Sequence, residues 1–236
     1  MSALSIAYAI PVWSLPAVPV IGRSELFPVR RIYCVGRNYA DHAREMGHDP
    51  TREMPFFFSK PADAIVPIRE GVGAVLYPPA TSNLQHEVEL VAALDKGGAR
   101  ISVEAALECV FGYAVGFDLT CRDLQTRAKE KGHPWDMGKG FDQSAPISAL
   151  RPLAFGGHPL AGAISLRVNG VCKQQANLNQ MIWSLAEVIA HLSCFVTLCP
   201  GDLIFTGTPA GVSTVLRGDL LQGQIEGVGE LSVRLV

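Results

Sequence analysis

The stretch His86-Glu87-Val88-Glu89-Leu90-Val91-Ala92-Ala93-Leu94 decides the fold and places two acids inside an apolar run. Its length and composition are typical of a β-strand, in which residues two apart project to the same face. Glu87 and Glu89 are therefore predicted to lie side by side, opposite Val88 and Leu90. Two neighbouring carboxylates repel each other and lose hydration when they are buried. The pair indicates either a solvated edge strand or a site for a cation.

A third acid favours the cation. Asp118 ends an apolar strand predicted over residues 110–117 and precedes a helix that we expect to begin near Thr120, with Asp123 in a capping box. By itself Asp118 could be a simple turn or N-cap residue. Together with Glu87 and Glu89 it offers an all-oxygen ligand set, which suits Mg²⁺ or Mn²⁺ better than Zn²⁺.

Short strands dominate the rest of the chain. Asn169-Gly170 predicts a tight hairpin turn, and a second hairpin is expected around Glu226-Gly227. Helices are fewer, with one capped by Ser102 and the longest predicted over residues 182–196. This irregular mixture predicts an α+β, mostly β fold, a mixed β-sheet roll or sandwich, and disfavours a TIM barrel. The further predicted strands are residues 31–35, 55–59, 163–168, 171–175, 219–225 and 230–236.

Composition bounds the class of protein. The 236 residues, 48% hydrophobic and only 18% charged, are typical of one core-rich globular domain. The formal net charge of -2 argues against nucleic acid or an anionic membrane as the partner. No apolar stretch is long enough to span a bilayer. We expect an N-terminal arm over residues 1–30 and a single catalytic domain over 31–236.

The cysteines and the N-terminus indicate a reducing compartment. The six cysteines contain no CxxC pair, and we expect most of them to be small buried hydrophobic residues. The apolar N-terminus has no basic start, and Pro11, Pro16 and Pro19 interrupt it, so it does not fit a signal peptide. These features predict a cytoplasmic protein whose first residues lie on the domain or on a neighbouring subunit.

Other polar residues are candidates for the site. Arg122 and Gln125 share a helix face and could hold an oxyanion or a substrate carboxylate, although a solvated helix face is the alternative. His42 and Glu45, three residues apart, could form an oriented general base or an ordinary surface pair. The remaining candidates are Lys60 and Lys139, both isolated in apolar surroundings, and the turn Thr206-Gly207-Thr208-Pro209, which could hold a carboxylate.

Taken in order, these motifs resemble the fumarylacetoacetate hydrolase family. The resemblance covers the chain from about Arg31 onward and is specific only as a series. It is carried by Cys34-Val35-Gly36-Arg37-Asn38-Tyr39, His42 with Glu45, Glu87-x-Glu89, Asp118 with Arg122 and Gln125, Lys139, and Gly201-Asp202 leading into Thr206-Gly207-Thr208-Pro209. Residues 45–50 and 55–58 are most similar to members that hydrolyse fumarylpyruvate during gentisate degradation.

The resemblance implies a β-roll, a homodimer, and a Mg²⁺ or Mn²⁺ ion held by Glu87, Glu89 and Asp118. It also implies hydrolysis of a carbon–carbon bond in a 2,4-dioxo acid, with the ion chelating the pyruvyl end. His42, supported by Glu45 on a lid segment, would activate water. The other implied roles are oxyanion stabilisation by Arg122, Gln125 and Lys139, and substrate binding by Lys60, Thr208, Arg37, Asn38 and Tyr39.

Several activities are compatible with these residues. Acylpyruvate hydrolysis, oxaloacetate decarboxylation and oxaloacetate tautomerisation would use the same enolate-stabilising pocket as fumarylpyruvate hydrolysis. A non-catalytic metal-binding module is a different class, in which the acids would be purely structural. A cysteine hydrolase is disfavoured because no cysteine lies in a recognisable nucleophile context.

Overall fold

The computed structural model describes residues 8–45 and 53–236. The strands in these ranges are β1 (Ala17–Pro19), β2 (Leu26–Pro28), β3 (Arg31–Gly36), β4 (Phe56–Lys60), β5 (Ile65–Ile68), β6 (Val72–Val75), β7 (Leu84–Gln85), β8 (Val88–Leu94), β9 (Val110–Phe117), β10 (Thr120–Cys121), β11 (Ala145–Ser148), β12 (Arg151–Pro152), β13 (Ala163–Val168), β14 (Val171–Asn177), β15 (Asp202–Phe205), β16 (Thr214–Val215), β17 (Leu220–Ile225) and β18 (Gly229–Leu235). The α-helices there are α1 (Ala40–Glu45), α2 (Val103–Ala106), α3 (Arg122–Lys131), α4 (Asp136–Lys139) and α5 (Leu185–Phe195).

Two mixed sheets form the body of the fold. The larger runs β4-β3-β15-β8-β9-β11-β5, with β12 pairing to β9, and the other runs β14-β13-β17-β18-β6. Parallel pairs such as β3 with β15 lie among antiparallel ones such as β8 with β9. The predicted α+β, mostly β roll is therefore confirmed, and the small sheets β10-β7-β16 and β1-β2 complete it.

Strand β8 is buried on both faces, which explains its nearly continuous apolar sequence. Val88, Leu90 and Ala92 belong to the main core, which also contains residues of β13, β17 and β18 from the opposite sheet. Val91 and Ala93 lie in a second core that β1 and β2 cover. The central position of β8 removes the possibility of a solvated edge strand and leaves Glu89 without access to bulk water.

The predicted hairpins are confirmed. Val168 pairs with Val171, and Asn169 and Gly170 have φ values of 49° and 82°, as a type I′ turn requires. Strands β17 and β18 form the second hairpin, with Ile225 opposite Gly229. These turns follow from local chemistry, because Asn and Gly tolerate positive φ better than other residues.

Two helices, α3 and α5, begin later than the sequence predicted. Thr120 does not cap a helix: it belongs to β10, and α3 starts at Arg122, while Asp123 accepts hydrogen bonds from Thr81 and Ser82. The long helix starts at Leu185 instead of residue 182, because Ser184 forms a capping box with Glu187. Ser102 does cap α2, as predicted.

Two other expectations changed in detail. Only half of the cysteines are buried, namely Cys34, Cys109 and Cys121, whereas Cys172 and Cys194 are exposed. Part of the N-terminal arm is ordered on the domain, because β1 and β2 pair and the N–H of Ile21 donates to the carbonyl of Leu150. Among the helices of residues 8–45 and 53–236, none has the length and hydrophobicity needed to cross a membrane.

Candidate metal centre and active-site cleft

Three carboxylates converge in the centre of the larger sheet. Antiparallel pairing sets Glu89 opposite Gly116, so Asp118, just beyond the end of β9, falls beside Glu87. The N–H of Asp118 donates a 2.9 Å hydrogen bond to the carbonyl of Glu87. All three acids are buried, and one carboxylate oxygen from each lies within 4.8 Å of the others. The predicted convergence of these acids is confirmed.

Three buried cations surround two of these acids. The ammonium of Lys139 donates 2.7 Å hydrogen bonds to Glu87, Asp118 and Thr120. Lys60 Nζ lies 2.8 Å from Asp118 Oδ1, and Arg122 donates to Glu87 Oε1. Burial raises the pKa of Glu87, but Lys139 and Arg122 outweigh it and hold this pKa well below its usual range. Glu87 is therefore a carboxylate at all ordinary pH values.

Glu89 has a different environment. Within the described residues it has no cation within ion-pair distance, and its hydrogen-bond donor is the N–H of Gly207 at 2.8 Å. Burial, together with Asp118 and Glu87, raises the pKa of Glu89 well above its usual value. The buried Oδ1 of Asp118 lies 2.8 Å from the ammonium of Lys60 but accepts no well-aligned hydrogen bond from the described residues. Both observations fit a divalent cation, because hard oxygen donors are what Mg²⁺ and Mn²⁺ prefer.

Gly207 is required by its conformation and by crowding. Its φ is 99°, and a Cβ there would approach the Cβ of Asn38 to 2.6 Å. The flanking hydroxyls of Thr206 and Thr208 donate to the carbonyls of Leu90 and Val88. The turn predicted to hold a substrate carboxylate is therefore hydrogen-bonded to the backbone of β8, and its Gly207 N–H donates to Glu89.

His42 lies in the same cleft as the acids. It is buried on α1, and its Nδ1 lies 3.3 Å from Oε2 of Glu45. The N–H of Gly211 donates to both carboxylate oxygens of Glu45 at 3.1 Å, which orients that carboxylate. Burial lowers the pKa of His42 despite Glu87 and Glu45, which raise it, so the imidazole is neutral near neutral pH. The structure therefore brings this pair to the acids.

The first turn of α3 presents Arg122 and Gln125 to the cleft, as their spacing predicted. Arg122 donates 2.6 Å hydrogen bonds to the side-chain oxygens of Gln85 and Gln125. Because the carboxamide oxygen of Gln125 accepts from Arg122, its NH₂ group is free to donate into the cleft. Gln85, to which the sequence analysis assigned no role, thus orients the guanidinium.

The candidate substrate-binding residues occupy different positions. Arg37 lines the cleft with a positive φ of 57°. Asn38 is fully buried, and its carboxamide bonds to backbone groups of Trp183 and Thr206. Among the described residues, the buried hydroxyl of Tyr39 has no hydrogen-bond partner, and Lys60 contacts Asp118 and two carbonyl oxygens. Thr208 lines the cleft, but its hydroxyl already bonds to Val88 and Gln174.

An aromatic wall and a further cation complete the cleft. Phe56 and Phe58 of β4, and Trp135 just before α4, line it together with Lys129. The sequence offers one signal for Lys129, because its spacing of seven from Arg122, two helical turns, places both on one helix face.

The segment Met46–Pro50, which contributed to the family resemblance and to the expected lid, lies outside the described residues.

Comparison with known proteins agrees with this geometry. Residues 31–236 match the family model described as fumarylacetoacetate (FAA) hydrolase C-terminal. The chain is 45% identical over 185 residues to a fumarylpyruvate hydrolase of Ralstonia sp., covering 78% of this chain and 94% of that protein. It is 43% identical over 199 residues to the mitochondrial oxaloacetate tautomerase of Mus musculus, covering 84% and 88% respectively.

A solved structure supports the same assignment. The fumarylpyruvate hydrolase of Pseudomonas aeruginosa, in complex with Mn²⁺ and pyruvate, is 53% identical with a TM-score of 0.96, and the match covers 98% of this chain and 99% of that chain. On the family model, the identity to these relatives and the shared fold, the chain belongs to the fumarylacetoacetate hydrolase family.

Proposed function

We propose that this protein is a metal-dependent hydrolase that cleaves a carbon–carbon bond of a 2,4-dioxo acid, with fumarylpyruvate as its substrate. The observation that carries the proposal is the convergence of three buried carboxylates in a cleft that also holds the His42–Glu45 pair. The names of the Ralstonia and Pseudomonas relatives support the choice of substrate.

Glu87, Glu89 and Asp118 would hold Mg²⁺ or Mn²⁺. When bound, the ion would be chelated by the 2-oxo acid, and its positive charge would stabilise the enolate released on cleavage. The charge balance of the site agrees, because Glu89 lacks a cationic partner among the described residues, while Glu87 and Asp118 have theirs.

The chain's own residues carry the proton and the oxyanion. Neutral His42 accepts a proton from water, and Glu45 holds the imidazole in position. The hydroxide adds to the C4 carbonyl, and Arg122 and Gln125 donate to the developing oxyanion. Lys139 contributes its charge at short range, since its ammonium already bonds to Glu87, Asp118 and Thr120.

The tetrahedral adduct at C4 then collapses. The C3–C4 bond breaks, its electron pair forms the enolate of pyruvate, and the C4 carbon leaves as the carboxyl group of fumarate. The proton returned from His42 completes the conversion of fumarylpyruvate and water to fumarate and pyruvate.

The substrate-binding residues divide into two groups. We assign Arg37 to direct contact with substrate, because its side chain lines the cleft. Asn38 would support the site indirectly through its backbone hydrogen bonds, and Lys60 through its contact with Asp118. Thr208 and Tyr39 remain proposed substrate contacts. Thr208 follows Gly207, whose N–H donates to Glu89, and burial, helped by the charge of Glu89, raises the pKa of the Tyr39 hydroxyl.

Oxaloacetate tautomerisation is the second candidate function. The relative from Mus musculus carries that activity in its name at 43% identity, and an enolate-stabilising site serves both reactions. We also propose that residues 31–236 act as one catalytic domain, that the active form is a cytoplasmic homodimer, and that neither nucleic acid nor membrane is a partner.

The test is a spectrophotometric comparison of fumarylpyruvate, acetylpyruvate and oxaloacetate with added Mg²⁺ or Mn²⁺. We expect cleavage of fumarylpyruvate that stops when the metal is chelated. Tautomerisation of oxaloacetate without cleavage of either dioxo acid would favour the second candidate. A metal-binding module would show no turnover of any of the three.

A further inference from the structure

Two cations that line the cleft, Arg37 and Lys129, take no part in the proton transfer or bond cleavage described above. Deep in the cleft, the carboxylates of Glu87, Glu89 and Asp118 are matched in number by the cations Lys60, Arg122 and Lys139. Arg37 and Lys129 line the same cleft in addition to this balanced group. The addition of a divalent cation would leave the cleft with still more positive charge.

Aromatic contacts show where these two cations lie relative to the metal centre. Lys139, at the centre, lies 4.9 Å from the ring of Phe58, and Phe58 contacts Trp135 at 5.8 Å between centroids. Trp135 in turn meets Phe56 at 5.6 Å. The guanidinium of Arg37 lies 5.2 Å from the ring of Phe56, and Lys129 Nζ lies 5.2 Å from that of Trp135. Each of the two cations therefore lies against a ring of the aromatic wall, and the wall in turn contacts Lys139 at the centre.

Neither of these two cations is paired with a carboxylate. Among residues 8–45 and 53–236, no acid lies within ion-pair distance of Arg37 or Lys129; Glu53 acts on Arg37 only from further away. Burial lowers the pKa of Lys129, and the charges of Arg37, Arg122 and Lys139 lower it further, against an opposing effect of Glu87. Half-buried cations that repel one another and lack a carboxylate gain most from an anion placed between them.

We propose that Arg37 and Lys129 form a subsite for a second carboxylate, so that the cleft selects dioxo acids with a carboxylate at both ends. This inference rests on the proposed function and specifies its substrate class. The 2-oxo acid end lies at the three acids, a flat unsaturated segment lies against Phe56 and Trp135, and the distal carboxylate meets the two cations. Fumarylpyruvate has this sequence of groups, whereas acetylpyruvate lacks the last two.

The experiment compares kcat/KM for fumarylpyruvate and acetylpyruvate in Lys129→Met and Arg37→Asn. Methionine keeps the length of the lysine stem, and asparagine tolerates the positive φ at position 37. The ratio of the two specificity constants should fall about tenfold or more in each variant, the effect of one lost charge-assisted hydrogen bond. Lys129→Arg should restore most of the ratio, and Lys131→Met, an exposed lysine on the same helix, should leave it unchanged.

Binding of both acids to metal-loaded His42→Ala, measured by calorimetry, separates the two hypotheses. If the wild-type enzyme cleaves neither acid, the proposed function fails, and the subsite is then judged by binding. Fumarylpyruvate should bind at least about tenfold more tightly than acetylpyruvate, and Lys129→Met in this background should abolish the difference. Equal losses of kcat/KM or of affinity for both acids, or an unchanged ratio of the two kcat/KM values, would overturn the subsite even with the hydrolase activity intact.

Discussion

The backbone N–H of Gly207 donates a 2.8 Å hydrogen bond to Oε2 of Glu89, although the two residues are 118 positions apart. This amide takes the place that a lysine or arginine occupies beside Glu87 and Asp118. A neutral N–H offsets only part of a buried carboxylate's lost hydration. Glu89 is therefore the acid whose ionisation depends most on a bound cation.

Metal should stabilise the fold. Because a cation relieves the repulsion among the three acids, it binds the folded chain in preference to the unfolded one. At a concentration 100 times its Kd it should raise the free energy of unfolding by about 2.7 kcal/mol, a rise in Tm of roughly 5–10 °C for a domain of this size. Thermal melts with Mg²⁺ or Mn²⁺, and again with added chelator, measure this. An unchanged Tm at millimolar metal would contradict the site.

Glu89→Gln should have opposite effects with and without metal. In the absence of metal and at neutral pH the variant should be more stable than the wild type by on the order of 1–3 kcal/mol. The raised pKa of Glu89 costs the folded state free energy that a glutamine does not cost, and the amide oxygen can still accept from Gly207. With metal, the shift in Tm and the turnover should both be lost. Glu25→Gln, on the exposed surface, is the matched control. A destabilised apo variant would show that Glu89 is structural.

His42→Ala should slow hydrolysis by about 10²–10⁴-fold, the usual contribution of a positioned general base. Oxalate, which resembles the enolate of pyruvate, should still bind the metal-loaded variant, because none of the three acids is changed. Calorimetry with oxalate separates this outcome from a structural role, in which oxalate binding would also disappear. Glu45→Gln should lose less activity, because Gly211 can still position the side chain.

Activity and stability should both depend on the low pKa of His42. Since burial lowers this pKa, the acid limb of kcat/KM should lie below the unperturbed value of about 6.5. Glu45 raises the pKa of His42, so Glu45→Gln should move the limb further towards acid. The unfolded chain binds the proton first, so stability should fall as the pH drops below about 6.5. A limb at or above the unperturbed value would contradict the buried neutral imidazole.

Asn38→Ala should destabilise the fold before it affects metal binding. The substitution leaves backbone groups of Trp183 and Thr206 without their partner, and each unsatisfied group costs about 1–3 kcal/mol. Denaturant unfolding should show the lower free energy of unfolding, while added metal should still raise the Tm of the variant. A variant of normal stability with impaired substrate binding would instead make Asn38 a direct contact.

Local chemistry was sufficient for the long strands and the two hairpins, but the sequence did not predict the shorter strands β5, β6 and β11. The alternation in β8 predicted that Glu87 and Glu89 share a face, because a strand repeats every two residues. Asn169-Gly170 predicted its hairpin, since few other residue pairs accept positive φ at both positions. The starts of α3 and α5 were less predictable. Thr120 and Ser184 both suit an N-cap, but Thr120 pairs with Gln85 in β10 and its hydroxyl bonds to Asp118 and Lys139.

By itself, then, the sequence determined the residue types of the site, the shared face of its two glutamates, the family and the mostly β fold. The tertiary structure alone decided which partners meet: the pairing of β8 with β9 places Asp118 beside Glu87, and α4 brings Lys139 between them. The reason is physical. Strand period and turn preference act over a few residues, whereas the compensation of a buried charge depends on groups that only the assembled sheet brings within hydrogen-bond distance.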